Sequence, residues 1–273
     1  MFKIALLFLT ISSIYHEDYW LDFLRGNEGK YSVYIHSKES IPTQSPFKQY
    51  EMQNKVGTTW SNTIIAQVAL LKEALKDPDN QKFIFLSEST IPFYDFQAVY
   101  DRLMATDKSI FPFVSNDVHL DPKRLGTFYS FGNYQPRRDM HPIPERFQYR
   151  TTQWVILNRK HAELMANDTK YIDIISKIAS DQEHYPATIL AIKGLLDEVE
   201  NYQITYDDWV ITSSPANPFT FTDLHDQTQY DVAVKAIRGE IYGYHKYLFG
   251  RKFARGCDLS PLDKHLAYRI VWD

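Results

Sequence analysis

Three short apolar runs in the first third of the chain have the length and composition of buried β-strands. They cover residues 3–10, 31–36 and 82–87, and polar or turn-forming residues bound each of them. A continuous apolar run of this length is typical of a strand inside a parallel sheet. The first run also resembles a short secretory signal, but it ends early and acidic residues follow it, so we interpret it as a strand.

Segments with helical periodicity alternate with these strands. Apolar residues recur at helical spacing over 15–24, before Gly26, and over 61–76, where charged residues occupy the other face. The order strand, helix, strand predicts right-handed βαβ crossovers. We therefore predict an α/β fold with a mostly parallel central sheet flanked by helices. Similar patterns predict helices at 96–104, 160–166, 171–179 and 187–196, a strand at 153–157, and an edge strand at 110–114 that contains Pro112.

An irregular stretch at 116–150 interrupts this alternation. It interleaves four prolines with basic and aromatic residues. Long ordered loops are commonly functional. We expect this loop to shape a binding site.

The composition is that of a globular protein with a large core. The chain has 273 residues, a length that suits one large domain or two closely packed ones. Of these residues, 44% are hydrophobic and 23% are charged, as is typical of globular proteins. The formal net charge is −4, so no overall positive field attracts nucleic acid or an anionic membrane. No apolar stretch reaches the length of a membrane-spanning helix. We predict no nucleic-acid partner and no transmembrane segment.

The single cysteine, Cys257, limits the chemistry further. One thiol excludes an internal disulfide and a zinc site built from cysteines. Chains without disulfides are typical of reducing compartments. We therefore predict a cytoplasmic location.

Polar residues stand near the carboxyl ends of the predicted strands. Thr10, His36 and the segment 87–89 occupy these positions, and ligands of α/β sheets bind beyond the carboxyl ends of the strands. No glycine-rich phosphate loop follows any of these strands, and the chain has no nucleophile-elbow or zinc-protease motif. The sequence therefore does not indicate dinucleotide or P-loop chemistry.

An acidic pair, Asp77 and Asp79, has the spacing of a site for Mg²⁺ or Mn²⁺. The pair follows a helix and precedes a strand, which places it at the edge of the sheet opposite the ligand crevice, so we interpret it as a turn. After the third strand, where such a pair would be useful, there is one carboxylate, Glu88. We predict no metal site. A metal-dependent nucleotidyltransferase or phosphoesterase would need clustered carboxylates that the sequence does not offer.

Two neighbouring cations, Arg251 and Lys252, follow an apolar-aromatic run. Positive charge stabilises a departing diphosphate, because its oxygens gain negative charge in the transition state. The same pattern also fits a solvated basic pair at the end of a strand. The residues alone leave both interpretations open.

A group of ionisable residues opens the predicted helix at 187–196. Glu183 stands there, and an ionised carboxylate near a helix N-terminus can act as a general base. The alternative is a capping box, in which Ser180 or Asp181 caps the helix and Glu183 completes the motif. We expect His184 to form local hydrogen bonds.

Six segments, taken in order along the chain, resemble one enzyme family. They are IALLFLT, FLRGNEGKYSVYIHSKES, ALLKEAL with KFIFLSESTIPFYDFQAVYDRL, YRTTQWVILNR, SDQEHYPAT and YLFGRKF. Together they resemble glycosyltransferase family 14, the core-2/I-branching β-1,6-N-acetylglucosaminyltransferases and xylosyltransferases, particularly the plant and microbial members.

The resemblance implies a GT-A-like fold and inverting, metal-independent transfer from a UDP-sugar to a hydroxyl of a glycan or glycoconjugate. It implies one catalytic domain over 1–273, with a nucleotide-binding half at about 1–115 and an acceptor and catalytic half at about 116–273. UDP-GlcNAc is the expected donor. A UDP-xylose-dependent xylosyltransferase and a non-catalytic sugar- or nucleotide-binding module are the alternatives. No cofactor is expected besides the donor substrate.

Site residues follow from the matching segments. Glu183 matches the catalytic base, and Lys252, with Arg251 beside it, matches the basic residue at the diphosphate. Lys235 and Arg238 are both candidates for the family's second diphosphate-binding arginine, and we assign Arg238. The remaining assignments are nucleotide binding by Thr10 and His36, and acceptor or sugar binding by Glu88 and Trp154.

Overall fold

The three apolar runs near the N-terminus form adjacent strands of a six-stranded sheet. The computed structural model describes residues 1–115, 121–132, 134–212, 217–241 and 246–266. Within these ranges the strands are β1 (Lys3–Thr10), β2 (Tyr31–Ser37), β3 (Asn80–Ser87), β4 (Ile91–Pro92), β5 (Ser109–Ile110), β6 (Phe113–Val114), β7 (Arg150–Thr151), β8 (Ile156–Asn158), β9 (Val199–Glu200), β10 (Thr205–Asp207) and β11 (Phe249–Arg251).

The large sheet has the order β2-β1-β3-β8-β5-β9 and is mostly parallel. β1 pairs in parallel with β2 and β3, and β5 pairs in parallel with β9. β8 runs antiparallel to its two neighbours, β3 and β5. This mixed α/β arrangement confirms the predicted fold class and is consistent with a GT-A-like fold.

Helices follow most of the predicted segments, with boundaries that differ by a few residues. α7 ends at Lys193, three residues before the predicted end, because Gly194 takes the left-handed conformation with φ 68°. The helices are α1 (Glu17–Leu24), α2 (Ile64–Ala74), α3 (Phe96–Met104), α4 (Pro122–Leu125), α5 (Arg159–Asn167), α6 (Lys170–Ile175), α7 (Tyr185–Lys193), α8 (Gln227–Arg238) and α9 (Asp263–Leu266).

The predicted edge strand at 110–114 is wrong, because the chain divides it at Pro112. Ser109–Ile110 forms β5 inside the large sheet, whereas Phe113–Val114 forms β6 and pairs with β7 in a separate two-stranded sheet. Pro112 has no N–H to donate to a ladder. Its carbonyl instead accepts a hydrogen bond from the Thr151 hydroxyl at 2.6 Å.

The core lies on both faces of the large sheet. Along β1, Ile4, Leu6 and Phe8 pack on one side with residues of α1 and α3, such as Trp20. The intervening residues of β1 face the other side and pack with α2, α5 and α7. Burial on both faces explains why β1 has no polar alternation and reads as a continuous apolar run.

Short helical turns occupy much of the irregular stretch at 116–150. Besides α4, 3₁₀ turns cover Gly126–Phe131, Arg138–Met140 and Glu145–Phe147. Residues 116–120 and 133 lie outside the described residues. No helix in the described part of the chain is long and apolar enough to cross a membrane.

A three-stranded sheet with the order β10-β11-β4 brings Arg251 and Lys252 beside the large sheet, where Arg251 contacts Ser87 at the end of β3. Its middle strand, β11, contains Gly250 and ends at Arg251. The ring of Phe93 lies directly against Gly250, so a Cβ atom at this position would stand 2.0 Å from the Phe93 Cζ atom. Glycine is therefore required where β11 passes the ring.

Candidate functional site

A cleft of about 940 Å³ lies at the carboxyl ends of β1 and β3. Thr10, at the end of β1, and the segment 87–89, after β3, line one part of it. The segment 251–255 and the turn that carries Glu183 line other parts. The topology therefore brings together residues that the chain separates by more than 200 positions, as the switch-point rule for α/β sheets predicts.

Glu183 belongs to a 3₁₀ turn, Asp181–Glu183, that lies between α6 and α7. Its side chain lines the cleft and is 24% exposed. The Nη2 atom of Arg150 donates to its Oε2 atom at 3.1 Å. A carboxylate held in this way at the cleft is able to accept a proton from a bound hydroxyl group.

The capping-box interpretation of this segment is wrong. Ser180 takes the left-handed conformation with φ 59° and makes no side-chain capping bond, and Glu183 pairs with Arg150 instead of a backbone N–H. Asp181 does cap a helix, but the helix is α2: its Oδ1 atom accepts from the backbone N–H groups of Thr63 at 2.9 Å and Ile64 at 3.2 Å. Burial raises the pKa of the Asp181 carboxyl to about 6.

The ring of His184 forms hydrogen bonds, as expected, but its partners are distant in the sequence rather than local. Its Nδ1 atom lies 3.2 Å from the carbonyl oxygen of Tyr149, and its Nε2 atom lies 3.3 Å from the Arg137 guanidinium. Burial lowers the pKa of His184 to about 4, so the ring is neutral at pH 7.

Arg251 is buried at the floor of the cleft. Its Nε atom donates to the Ser87 hydroxyl at 3.3 Å, and its Nη1 atom lies 3.6 Å from Oδ2 of Asp207. The guanidinium also lies over the Trp154 ring, 4.3 Å from the ring centroid. These contacts come from β3, from β10 and from the connection between β7 and β8, and they orient the guanidinium at the end of β11.

Asp207, at the end of β10, is the counter-charge of Arg251. Burial raises its pKa to about 6, although Arg251 and a hydrogen bond from the Trp209 side chain act in the opposite direction. Its Oδ1 atom also accepts from the Gln203 amide at 2.9 Å. Asp207 was not among the residues predicted from the sequence, because nothing in its local pattern shows that β10 lies beside β11.

Lys252 lines the cleft next to Arg251. Its Nζ atom donates to Oδ1 of Asn217 at 2.7 Å and lies 5.1 Å from the centroid of the Trp60 ring. Burial, with a further contribution from the neighbouring Arg251, lowers the pKa of Lys252 to about 8. Trp60 is 70% exposed and presents a large aromatic face in the same wall.

Glu88 and Thr10 both line the cleft. Burial raises the pKa of Glu88, while the positive charges of Arg251, Lys252 and Arg255 oppose the shift. The Thr10 hydroxyl donates to the Ser12 carbonyl at 2.7 Å.

His36 and Arg238 do not line the cleft. His36 is buried in β2, and its Nε2 atom accepts the backbone N–H of Val56 at 3.0 Å. It therefore anchors the loop that leads to Trp60. Arg238 lies at the exposed C-terminus of α8, 4.0 Å from Oε1 of Glu240, and Lys235 is exposed on the same helix.

Two further arginines line the cleft, and neither was among the site residues predicted from the sequence. Arg150 stands in the segment YRTTQW, and Arg255 follows the basic pair. Arg255 donates to the Ser13 hydroxyl at 2.9 Å and lies over the Tyr15 ring. Arg150 lies within a segment that resembles the family, whereas Arg255 follows the last such segment by two residues. Those positions were the available signal.

The interpretation of Asp77 and Asp79 as a turn is confirmed. Asp77 accepts the backbone N–H of Asp79 at 2.9 Å and pairs with Lys3 at 2.9 Å. Among the described residues, no group of three or more histidine, cysteine or acidic side chains is arranged to hold a metal ion.

Comparisons with known proteins agree with the segments that resemble glycosyltransferases. A sequence model of the Core-2/I-Branching enzyme family matches residues 4–234. The chain is 29% identical, over 322 aligned positions, to a protein named Glycosyltransferase BC10 from Oryza sativa subsp. japonica, and the match covers 97% of this chain and 77% of that protein.

Among solved structures, the crystal structure of A197 from STIV shares 13% identity and a TM-score of 0.29, covering 61% of this chain and 69% of that one. A TM-score this low carries no structural argument. The family match, in contrast, spans both the carboxyl ends of β1 and β3 and the turn with Glu183. The chain therefore belongs to the Core-2/I-branching enzyme family of glycosyltransferases.

Proposed function

We propose that this chain is an inverting, metal-independent glycosyltransferase that moves a sugar from a UDP-sugar to a hydroxyl group of a glycan or glycoconjugate. The proposed sugar is GlcNAc. The observation that carries the proposal is that Glu183 and the cations Arg251 and Lys252 line one cleft. A base for the acceptor and positive charge for the leaving group are the two requirements of such a transfer.

Glu183 is the proposed general base. It removes the proton from the acceptor hydroxyl as that oxygen attacks the anomeric carbon from the face opposite the leaving UDP. The bond from the anomeric carbon to the diphosphate breaks in the same step, so the configuration at this carbon inverts. Arg150, which contacts the carboxylate at 3.1 Å, holds it in the cleft.

Arg251 and Lys252 are proposed to bind the diphosphate. The guanidinium is oriented by Ser87, Asp207 and Trp154, so it is ready to accept the developing negative charge without rearranging. Metal independence is part of this proposal, because the two side chains supply the positive charge that a divalent cation supplies elsewhere.

The other assignments receive different degrees of support from the geometry. Thr10, Glu88 and Trp154 are at the cleft, which suits nucleotide binding by Thr10 and contact with the sugars by the other two. His36 does not line the cleft, so its proposed contribution to nucleotide binding is indirect: it holds Val56 in the loop that leads to Trp60. Arg238 is exposed away from the cleft, so its proposed diphosphate role gains no support and Arg251 takes that place.

We also propose that the two halves of the chain have different roles. Residues 1–115, approximately, would bind the nucleotide, and residues 116–273, approximately, would bind the acceptor and carry the catalytic base. UDP-xylose is the alternative donor. A cytoplasmic location remains a prediction from the cysteine content alone.

The proposal is tested with a panel of UDP-sugars and candidate glycan acceptors, with and without EDTA. We expect one UDP-sugar to bind selectively and to be hydrolysed or transferred equally well in EDTA. Glu183→Gln is expected to keep UDP binding and to lose transfer by about 10²–10⁴-fold, the usual contribution of general-base catalysis. Glu163→Gln, an exposed position on α5, is the matched control and keeps full activity.

Three results would contradict this proposal. Full turnover by Glu183→Gln would remove this residue from the mechanism, and a strict Mn²⁺ requirement would exclude the metal-independent reaction. Binding of sugars or nucleotides with no hydrolysis or transfer under any condition would favour a non-catalytic binding module.

A further inference from the structure

Two walls of the cleft are joined by a set of hydrogen bonds close to Glu183. One wall is the segment 61–64, which leads into α2, and the other is the base loop, defined as residues 178–184. The backbone N–H of Ser180 donates to the Ser61 carbonyl at 2.8 Å, and the Asn62 amide donates to the Ile178 carbonyl at 2.6 Å. The base loop is therefore attached to a segment more than 110 residues earlier in the chain.

Asp181 makes the contacts at the centre of this junction. It is 1% exposed, and its Oδ1 atom accepts the backbone N–H groups of Thr63, the residue before α2, and of Ile64, the first residue of α2. These N–H groups have no partner inside their own helix, and the positive end of the helix favours a carboxylate there. Burial nevertheless raises the pKa of Asp181 to about 6. The fold therefore keeps a carboxyl group at a position where removal from water disfavours its ionised form.

The base loop has little internal structure to hold Glu183 in place. It contains a single 3₁₀ turn, closed by hydrogen bonds from Glu183 N to Ser180 O at 2.9 Å and from His184 N to Asp181 O at 3.1 Å. The turn begins at Ser180, whose φ of 59° is an uncommon conformation for a residue other than glycine. Contacts with the rest of the protein must therefore set the position of the turn.

We propose that Asp181 is a positioning residue that locks the base loop onto the N-terminus of α2 and so fixes Glu183 in the cleft. The inference rests on the proposed function of Glu183 as the base. Asp181 itself does not touch substrate in this scheme. Of the two proposed diphosphate-binding side chains, Arg251 ends β11 and Lys252 follows it. Their side-chain hydrogen bonds go to Ser87 and Asn217, outside this junction, so we expect them to keep their geometry when it is broken.

The experiment compares Asp181→Ala, which removes the acceptor atoms, with Asp181→Asn, which keeps one oxygen for the N–H groups of Thr63 and Ile64. Asp95→Ala is the matched control, because Asp95 caps α3 through Ala98 N at 2.8 Å and does not line the cleft. For each folded variant, kcat and KM for the UDP-sugar are measured together with backbone hydrogen exchange.

We expect Asp181→Ala to lower kcat by about 10- to 100-fold, since a misplacement of about 1 Å has effects of this size. The donor KM should stay within about twofold, and Asp181→Asn should recover most of the kcat, because its side-chain oxygen restores the hydrogen bonds. Exchange should accelerate at 61–64 and 178–184 in Asp181→Ala but not at 249–251. Asp95→Ala should keep the wild-type kcat.

A wild-type kcat in Asp181→Ala would overturn the inference while leaving the proposed function intact. Equal losses in Asp181→Asn and Asp181→Ala would also overturn it, because the shared hydrogen bonds would then not be the cause. If the wild-type protein transfers no sugar, the proposed function fails, and hydrogen exchange still decides the structural part: unchanged exchange at 178–184 in Asp181→Ala would show that Asp181 does not hold the loop.

Discussion

The guanidinium of Arg150 contacts the carboxylate of Glu183 at 3.1 Å, and this contact joins β7 to the turn before α7. Both side chains are partly exposed, at 29% and 24%, so the ion pair itself adds less than about 1 kcal/mol to the stability of the fold. Its importance lies in orientation. Together with Asp181, which holds the backbone of the turn, Arg150 restricts the directions in which the carboxylate can point.

Replacing Arg150 should therefore affect turnover more than stability. We expect Arg150→Met to lower kcat by about tenfold, because the carboxylate loses its orienting partner, with little change in the free energy of unfolding. Arg150→Lys should recover part of the loss, since it keeps a charged donor. The measurements are kcat, donor affinity and denaturant unfolding for both variants. An unchanged kcat in Arg150→Met would refute the orienting role.

The lowered pKa of Lys252, at about 8, predicts a pH dependence of UDP binding. A diphosphate is attracted by the protonated amine, so the affinity should be nearly constant from pH 7 to about 8 and fall as the pH rises above that. The fall approaches about tenfold per pH unit once the amine is mainly neutral. Calorimetric titration of UDP between pH 7 and 10 measures this directly.

Lys252→Arg provides the matched comparison for this experiment. An arginine stays charged throughout this range, so the variant should bind UDP without the alkaline decline. If wild-type protein and Lys252→Arg show the same decline, another group is responsible and the assignment to Lys252 is wrong.

The close approach of Phe93 to Gly250 makes a prediction about stability. Gly250→Ala places a Cβ atom 2.0 Å from the Phe93 ring, which is itself fully buried. The ring or β11 must then shift, at a cost of about 1–3 kcal/mol in the free energy of unfolding. Gly57→Ala is the matched control, because a Cβ atom there meets no atom within 4 Å.

Denaturant unfolding of the two glycine variants measures this difference. The cost of Gly250→Ala should shrink in the background of Phe93→Leu, whose side chain can move away from the new methyl group, and such coupling is what a double-mutant cycle detects. Equal stabilities of Gly250→Ala and Gly57→Ala would show that the close approach is not present in solution.

Much of the local structure could be predicted from the sequence, because it depends on neighbours a few residues apart. The run Lys3–Thr10 is a buried strand and Phe96–Met104 is a helix, as their periodicities predict. The strand at 110–114 was predicted incorrectly because Pro112 divides it between two sheets, and the pairing partners of its two parts come from distant positions in the chain.

The candidate site shows the same limit. Glu183, Arg251 and Lys252 stand in segments with a recognisable resemblance, so the sequence alone made them candidates, and the structure places all three at one cleft. Arg238 was also chosen from the sequence, yet it lies at an exposed helix end, and no residue of α8 lines the cleft. Nothing in the local sequence shows how far α8 packs from the cleft.

By itself, the sequence determined the alternation of strands and helices, the family and the kind of chemistry, since these are carried by periodicity and by short motifs. Only the tertiary structure decided which groups meet: Arg150 with Glu183, Asp207 with Arg251, and Asp181 with α2 rather than with its own helix. These partners are 33, 44 and 118 positions apart. Such contacts depend on strand order and loop packing across the whole sheet, and no local pattern of residues records them.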